Sequence, residues 1–291
     1  MASEMITQQF LDSGGPPTYN PLATQGNGLH PTRLIGNTSY WGVVMSEKKS
    51  WREGLGKYPR IVADFGVDPR KTALIVVDMQ YYDAHPDYGL GRIIKERYPE
   101  LAAYYLPRLK DVAIPNCIKL VDFFRRHGLR VFFACFGATL PDGSDALPLR
   151  KLRDEEIKRE TGVHSAFSVG SFEQQTLDEL KPRPGEMVVN KTTRNALSGT
   201  GLDHTLRMMG IDSVVVVGAL SNACVESTGR GASDLGYKTI LVDDASATVD
   251  QASHEAAMKA FAWIFGKVMD TDELIAHLSK KLGVAAVAAK R

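Results

Sequence analysis

The sequence predicts an α/β fold, in which helices cover both faces of a mostly parallel, six-stranded sheet to give three αβα layers. Six short apolar runs, rich in β-branched residues, occur between residues 72 and 270. They lack the alternation of a strand with one wet face, which is typical of strands that are buried on both faces. Helical patterns separate these runs, and strands that alternate with helices form parallel βαβ units.

The first two predicted strands cover residues 72–78 and 129–135. Between them, apolar residues at helical spacing over about 106–127 predict a helix, and Gly128 is placed to end it. The stretch from about 139 to 172 is polar and irregular, so we expect loops or short helices over one end of the sheet.

The later elements follow from the same patterns. The remaining predicted strands cover 187–190, 213–218, 238–244 and 267–270. The helices predicted after them cover 201–210, a segment that begins at Cys224, about 253–265, and 272–282.

Composition and charge exclude several classes of protein. The formal net charge is +1 and long basic stretches are absent, which argues against a nucleic acid or a membrane surface as partner. No apolar run approaches the roughly 20 residues of a membrane span, and the first residues lack the pattern of a secretory signal. The three cysteines are too few for a disulfide framework, so we expect a cytoplasmic protein with reduced thiols.

The chain divides by composition into three parts. Residues 1–70 are rich in Gly, Pro, Asn, Thr and Ser and predict an extended N-terminal arm, 71–284 a single domain, and 285–291 a C-terminal tail. The aromatic residues of the arm, Tyr40, Trp41 and Trp51, indicate that it docks on a surface. Two interpretations stay open: packing against its own domain or a neighbouring subunit, or lining the mouth of an active site.

Polar residues at the ends of the predicted strands are the first candidates for chemistry. In an open parallel sheet, ligands bind beyond the carboxyl ends of the strands, where helix N-termini converge. The residues at these positions are Asp78, Cys135, Lys191, the segment 218–224, Asp243 and Asp244.

Three of these residues, Asp78, Lys191 and Cys224, provide the carboxylate, ammonium and thiol that nucleophilic catalysis by a cysteine needs. Cys224 opens a helix, whose free N–H groups and dipole favour an anion, and the Lys191 ammonium would lower the thiol pKa further. Asp78 is placed to take the thiol proton and to pass it to a leaving nitrogen. Taken alone, an Asp at a strand end is usually a helix cap or turn residue, and a Lys there is usually a solvated charge. A lone Cys is most often a buried, small apolar group. Cys135 is the rival thiol, and Cys117 is assigned to the core.

Three motifs carry a resemblance to a known family. They are ALIVVDMQ, VVNKTTRNALSGTGLDHTLRMMGID and VVVVGALSNACVESTGRGASDLGY. From about residue 72 to 282 the chain resembles the isochorismatase-like cysteine hydrolase superfamily, which includes nicotinamidases, N-carbamoylsarcosine amidases, and ureidoacrylate and biuret hydrolases. The resemblance implies a Rossmann-like strand order 3-2-1-4-5-6.

The resemblance also implies a catalytic set and a mechanism. Asp78, Lys191 and Cys224 match the catalytic triad of the family, and the peptide between Ala219 and Leu220 is expected to be cis. The N–H groups of Leu220 and Cys224 would form the oxyanion hole. The implied reaction is acylation of Cys224, release of ammonia or an amine, and hydrolysis of the thioester by water.

The sequence departs from the family pattern at the substrate pocket. Nicotinamidases place an Asp-x-His metal motif after the second strand, but this stretch reads ACFGATLPDGSD here. We therefore expect no metal and no cofactor, and nicotinamide is disfavoured as a substrate. Tyr81 and Tyr82 replace residues common in relatives, and NAL stands where many relatives have SAF. The full set of pocket candidates is Gln80, Tyr81, Tyr82, Phe136, Asn195 and Asn222.

The sequence thus predicts a metal-independent amidohydrolase that cleaves a C–N bond of a small amide, ureido or carbamoyl compound. Two alternatives are an isochorismatase-like ether hydrolase and a catalytically weak binding or scaffold protein. By analogy with relatives we expect a homodimer or homotetramer, with a small molecule as the other partner.

Overall fold

A computed structural model of the protein describes residues 51–55, 61–162 and 167–284. Most of the predicted N-terminal arm lies outside these ranges, including Tyr40 and Trp41, and so does the predicted C-terminal tail.

One six-stranded sheet forms the centre of the domain. Its strands, β1 to β6 in chain order, are Thr72–Val77, Arg130–Phe136, Met187–Lys191, Ser213–Ala219, Lys238–Ala247 and Lys267–Met269. The strands lie in the order β3-β2-β1-β4-β5-β6, and every neighbouring pair is parallel. The predicted fold class and strand order are therefore confirmed.

Helices connect the strands. In chain order, α1 to α10 are Trp51–Leu55, Tyr81–Ala84, Gly89–Arg97, Pro99–Pro107, Ile114–Arg126, Pro148–Thr161, Leu202–Met208, Glu226–Asp234, Gln251–Ile264 and Thr271–Leu282. Shorter turns are also present, of 3₁₀ type at Pro69–Lys71 and Asp178–Leu180 and of π type at Arg108–Ala113 and Ser221–Val225.

Two predicted regions differ from the structure. The helix expected over 106–127 continues a longer helical path, in which α4, the π turn Arg108–Ala113 and α5 follow one another without a loop. Pro107 at the end of α4 and Pro115 at the start of α5 hide this continuity in the sequence. The stretch expected to form loops or short helices contains α6, a 14-residue helix. Because most of α6 is exposed and polar, its sequence has little apolar periodicity to reveal it.

The core lies on both faces of the sheet. Leu74 and Val76 of β1 point into one apolar cluster, which includes residues of α5 and α10. Ile75 and Val77 point into the other cluster, which includes residues of α7 and α9. Successive side chains of a strand alternate between faces, so this arrangement accounts for the uninterrupted apolar run that predicted β1.

The strand order reverses between β1 and β4, and the two strands approach closely there. Val77 at the end of β1 pairs with Gly218 of β4. Gly218 has a φ of 122°, and a Cβ built on it would lie 1.9 Å from the backbone oxygen of Val77. Only glycine fits, because a side chain would collide with the neighbouring backbone. This contact positions the segment that follows β4 beside the residue that follows β1.

We predict that Gly218→Ala destabilises the protein by at least about 3 kcal/mol, because it combines a strained φ with a collision between two central strands. Gly210→Ala is the matched control, since Gly210 also has a positive φ, 67°, but nothing lies within 4 Å of the added Cβ. We expect that control to cost about 1 to 2 kcal/mol. Urea unfolding of the two variants measures the difference, and equal losses would contradict this account.

Candidate active site

Asp78 begins the site directly after β1. Its backbone takes a left-handed conformation with a φ of 49°, which Asp tolerates better than most residues. Its side chain is 2% exposed. Oδ1 accepts a hydrogen bond from the Phe136 N–H at 2.8 Å, and Oδ2 accepts one from Lys191 Nζ at 2.8 Å. The carboxylate is thus buried and held at both oxygens.

Lys191 ends β3 and completes a buried ion pair with Asp78. Its Nζ also donates to the backbone oxygen of Thr193 at 3.3 Å and lies 4.8 Å from the centre of the Phe136 ring. Burial lowers the pKa of Lys191, but the charge and hydrogen bond of Asp78, with a further contribution from Cys224, outweigh this effect and hold the pKa above its usual value. The Lys191 ammonium is therefore the counter-charge of the Asp78 carboxylate.

Cys224 lies in the π turn Ser221–Val225, between β4 and α8. Burial raises the pKa of its thiol, the Asp78 carboxylate raises it further, and the Lys191 ammonium lowers it only in part. The expectation that the helix start and Lys191 give a lowered pKa is therefore wrong for the resting protein. A desolvated sulfur beside a carboxylate keeps its proton. The three residues do meet as the sequence predicts, because Asp78 and Cys224 line one cavity and Lys191 contacts Asp78 behind it.

The other two thiols are enclosed in the core. Cys135 Sγ lies 3.5 Å from Thr176 Oγ1, and burial raises its pKa to about 12. Cys117 Sγ donates to the backbone oxygen of Ala245 at 3.2 Å, and burial raises its pKa even more strongly. Cys224 is the one cysteine of the three that lines the cavity.

The segment before Cys224 has the expected backbone form. The peptide between Ala219 and Leu220 is cis. The Leu220 backbone oxygen accepts hydrogen bonds from the N–H groups of Ala223 and Val225, at 3.0 and 3.2 Å. Leu220 and Cys224 both line the cavity. An oxyanion hole formed by their N–H groups stays a prediction.

The cavity beside Cys224 has a volume of about 280 Å³. Its lining includes two of the predicted pocket residues, Tyr82 and Phe136. The structure places the other four outside the lining: Gln80, Tyr81, Asn195 and Asn222.

Those four residues have other contacts. Gln80 is fully buried, and its amide bonds to the backbones of Phe136 and Gln174. Tyr81 packs against other aromatic rings, with Phe172 at 4.4 Å. Asn195 accepts from the N–H of Leu197 at 2.9 Å, and Asn222 accepts from the Thr248 hydroxyl at 2.7 Å. These residues support the loops around the site.

Sequence reasoning missed several polar residues of the cavity. Arg150, on α6, pairs through Nε with Asp154 at 2.9 Å, and its Nη2 donates to the Tyr82 hydroxyl at 2.5 Å. Asp83 and Arg194 also line the cavity. Asp83 and Arg194 lie close in sequence to the motifs of Asp78 and Lys191, and this proximity could have identified them as cavity residues. No comparable sequence feature points to Arg150, because it lies on a polar helix that was not predicted.

Asp243 and Asp244, predicted at the end of the fifth strand, lie inside the longer β5 and outside the cavity lining. Asp243 accepts from Trp51 Nε1 at 2.9 Å and contacts His254 Nε2 at 2.5 Å. His254 Nδ1 contacts the Ser221 hydroxyl at 2.8 Å, and Ser221 is fully buried. This chain of hydrogen bonds fixes the first residue of the turn that carries Cys224.

Asp244 has a structural role. Its Oδ1 accepts from both the backbone N–H and the hydroxyl of Thr271, at 2.8 and 2.7 Å, which holds the start of α10. Within residues 51–55, 61–162 and 167–284, no three His, Cys, Asp or Glu side chains are arranged to hold a metal ion. In the same ranges every helix is too short or too polar to cross a bilayer.

The sheet order and the strand-end site define the class of protein. The chain matches the isochorismatase domain over residues 72–273, and it therefore belongs to the isochorismatase family. Its relatives include the isochorismatase family protein YwoC of Bacillus subtilis, which is 31% identical over 72% of this chain and 95% of that protein. Ureidoacrylate amidohydrolase RutB of Acinetobacter baylyi is 30% identical over 71% of this chain and 83% of its own length.

Solved structures agree with this assignment. N-carbamoylsarcosine amidase from Thermoplasma acidophilum is 30% identical, with a TM-score of 0.50 over 69% of this chain and 97% of that one. A cysteine hydrolase from Pseudomonas syringae has a TM-score of 0.63 over 77% of this chain and 99% of that one, at 23% identity. The second likeness supports the fold alone. The ureidoacrylate amidohydrolase and the N-carbamoylsarcosine amidase are hydrolases, and this chain is a hydrolase of the same family.

We predict that Lys191→Met destabilises the protein by roughly 3 to 5 kcal/mol, because it leaves the buried Asp78 carboxylate without its counter-charge. Adding Asp78→Asn should recover much of the loss, since the uncompensated charge is then gone. Urea unfolding of the single and double variants measures the coupling. Lys238→Met, at the exposed pair with Asp212, is the control and should cost much less. A double variant no more stable than Lys191→Met would contradict this prediction.

The Asp243 network predicts a dependence of stability on pH. Burial raises the pKa of Asp243, but the hydrogen bond and charge of His254, with Trp51 and Arg108, lower it well below its usual value. A depressed pKa stabilises the fold above the unfolded pKa of about 3.9, and this contribution is lost as the pH falls through the folded pKa. Wild type should therefore exceed Asp243→Asn in free energy of unfolding at pH 6, with a gap that shrinks below about pH 4. A constant gap from pH 6 to pH 3 would refute this assignment.

Proposed function

We propose that this protein is a metal-independent cysteine amidohydrolase that cleaves a C–N bond of a small amide, ureido or carbamoyl compound through a thioester on Cys224. The observation that carries the proposal is the Cys224 thiol, which lines one cavity with the Asp78 carboxylate, itself paired with buried Lys191. The names of two relatives, ureidoacrylate amidohydrolase and N-carbamoylsarcosine amidase, support the same type of bond.

Acylation begins with a protonated thiol. As Cys224 Sγ bonds to the substrate carbonyl carbon, the thiol proton passes to Asp78, and the carbonyl electron pair moves onto oxygen. Lys191 is then the nearby cation that stabilises the developing negative charge. When the tetrahedral intermediate collapses, the C–N bond breaks and the nitrogen takes the proton from Asp78. Ammonia or an amine leaves, and the acyl group stays on sulfur.

Deacylation uses the same groups with water as the nucleophile. Asp78, again ionised, takes a proton from the water that attacks the thioester carbonyl. The second tetrahedral intermediate collapses with cleavage of the C–S bond, and the proton returns from Asp78 to sulfur. The cycle ends with the acid product and the starting thiol.

Both intermediates carry a negative oxygen, and backbone donors are needed to hold it. We assign this role to the N–H groups of Leu220 and Cys224, because both residues line the cavity beside the sulfur. Such a donor contributes roughly 3 kcal/mol of transition-state stabilisation in characterised enzymes. The homodimer or homotetramer and the cytoplasmic location stay predictions.

We predict that Cys224→Ser lowers the rate of ammonia or amine release by at least about 1,000-fold, because a hydroxyl is a far weaker nucleophile than a thiol under the same base. Cys135→Ser is the control, since this thiol is enclosed beside Thr176, and it should keep most of the wild-type rate. A panel of amides, ureides and carbamoyl acids, with intact-protein mass spectrometry to detect the acyl adduct, measures both effects.

The alternatives predict other outcomes of the same experiment. An ether hydrolase would show turnover of vinyl ethers that survives Cys224→Ser. A binding or scaffold protein would turn over no compound of the panel and would form no adduct on Cys224.

A further inference from the structure

The cavity contains more charged groups than the proposed reaction uses. The Asp78 carboxylate pairs with Lys191, and the Arg150 guanidinium pairs with Asp154. Two further ionisable side chains of opposite type line the same cavity, Asp83 and Arg194. Neither is needed for the proton transfers described above, so they are available for the substrate.

Asp83 carries the second carboxyl group of the cavity lining, beside that of Asp78. It lies in α2, and its backbone oxygen accepts a hydrogen bond from the Tyr105 hydroxyl at 2.7 Å, which fixes the residue in place. Within the described residues, its side-chain oxygens form no hydrogen bond. Burial and the nearby Asp78 charge raise the pKa of Asp83 to about 8. This shift favours the carboxylic acid at neutral pH, which has one O–H donor and one carbonyl acceptor.

Asp83 lies at the catalytic end of this cavity. When ionised it raises the pKa of the Cys224 thiol, and the charges of Asp78 and Lys191 act on its own pKa. A substrate whose carbonyl carbon meets Cys224 Sγ therefore brings the adjoining nitrogen close to Asp83. An amide or ureido group presents N–H donors and a carbonyl acceptor, and these match the acceptor and donor of a neutral carboxyl.

Arg194 is the available cation of the cavity. It is exposed, which places it at the mouth, and within the described residues its guanidinium forms no hydrogen bond or ion pair. The loop that carries it is ordered by the Thr193 hydroxyl, which donates to the backbone oxygens of Asn195 and Ser198 at 3.0 and 3.2 Å. A guanidinium at this position can bind a carboxylate in a two-point geometry.

We propose that Asp83 and Arg194 together select a small ureido or amido acid. The Asp83 carboxyl binds the amide or ureido group beside Cys224, and the Arg194 guanidinium binds a carboxylate at the other end of the same molecule. This inference rests on the proposed function and narrows its substrate class to monoanions. With the two internal pairs neutral and Asp83 protonated, Arg194 leaves one positive charge in the cavity, and one carboxylate balances it.

The Arg194 part is tested with two matched compounds, 3-ureidopropionate and the neutral isostere 3-methylbutylurea. For wild type we expect kcat/KM to be roughly 10- to 100-fold higher for the acid, the range of a charge-assisted hydrogen bond. Arg194→Gln should remove this preference by lowering the value for the acid alone. Arg153→Gln, an exposed arginine of α6 outside the cavity lining, is the control and should keep the preference.

The Asp83 part is tested with the same two compounds. Asp83→Leu should lower kcat/KM roughly 10- to 100-fold for both, because it removes the contact to the group that they share. Asp83→Asn keeps one acceptor and a donor in the same shape, so it should stay within roughly threefold of wild type. Thermal unfolding of each variant separates lost contacts from lost structure, and the Asn variant remains informative where Leu disturbs the fold.

The outcomes separate this inference from the proposed function. Equal kcat/KM for the acid and its isostere, with a Cys224 adduct from both, would overturn the selection of acids and leave the amidohydrolase intact. Unchanged turnover in Asp83→Leu, or an Asn variant as impaired as Leu, would overturn the assignment of Asp83 as a neutral binding group. Absence of turnover and adduct across the whole amide panel would instead remove the proposed function and this inference with it.

Discussion

The buried ion pair between Asp78 and Lys191 is the interaction on which the site depends. It joins the end of β1 to the end of β3 across β2, whose last residue, Phe136, donates its N–H to the same carboxylate. Two buried charges are tolerated only when each finds its counter-charge and further hydrogen bonds, and this pair has both. The pair also fixes the electrostatics of Cys224, because one member raises the pKa of the thiol and the other lowers it. The Asp78–Lys191 ion pair therefore both joins two strands of the fold and sets the charge environment of the thiol.

The Cys224 sulfur comes to this ion pair from the segment after β4, which lies on the other side of the point where the strand order reverses. Gly218 lets β4 approach β1 so closely that no side chain fits between them, and the chain then turns through Ser221–Val225. Ser221 is held by His254, which is held in turn by Asp243 of β5. A Ser–His–Asp chain of this kind suggests nucleophilic catalysis, but the complete burial of Ser221 makes its role structural. The site thus receives its carboxylate and ammonium from one half of the sheet and its thiol from the other.

The sequence predicted most of the scaffold for a simple physical reason. Strands buried on both faces must be apolar throughout, and parallel strands place their carboxyl ends at one edge, so Asp78, Lys191 and Cys224 were identifiable together. The helix α6 was not, because its contacts with the domain are few and its exposed face hides any periodicity. Arg150 lies on that helix and was missed with it. The direction of the Cys224 pKa was also wrong, since the sequence reveals a helix start and a lysine but not the desolvation of the sulfur.

That raised pKa bears on how the site discriminates among molecules. A thiolate formed in advance attacks any electrophile that enters, whereas a protonated thiol reacts only when bond formation and proton transfer to Asp78 occur together. The transfer requires a carbonyl carbon in contact with sulfur and an oxygen in position to receive negative charge, so an incorrectly placed compound gains little. Binding contacts remote from sulfur then decide the rate, because they set how often the carbonyl is correctly placed. In this cavity those remote contacts come from residues on α2, on α6 and in the loop after β3.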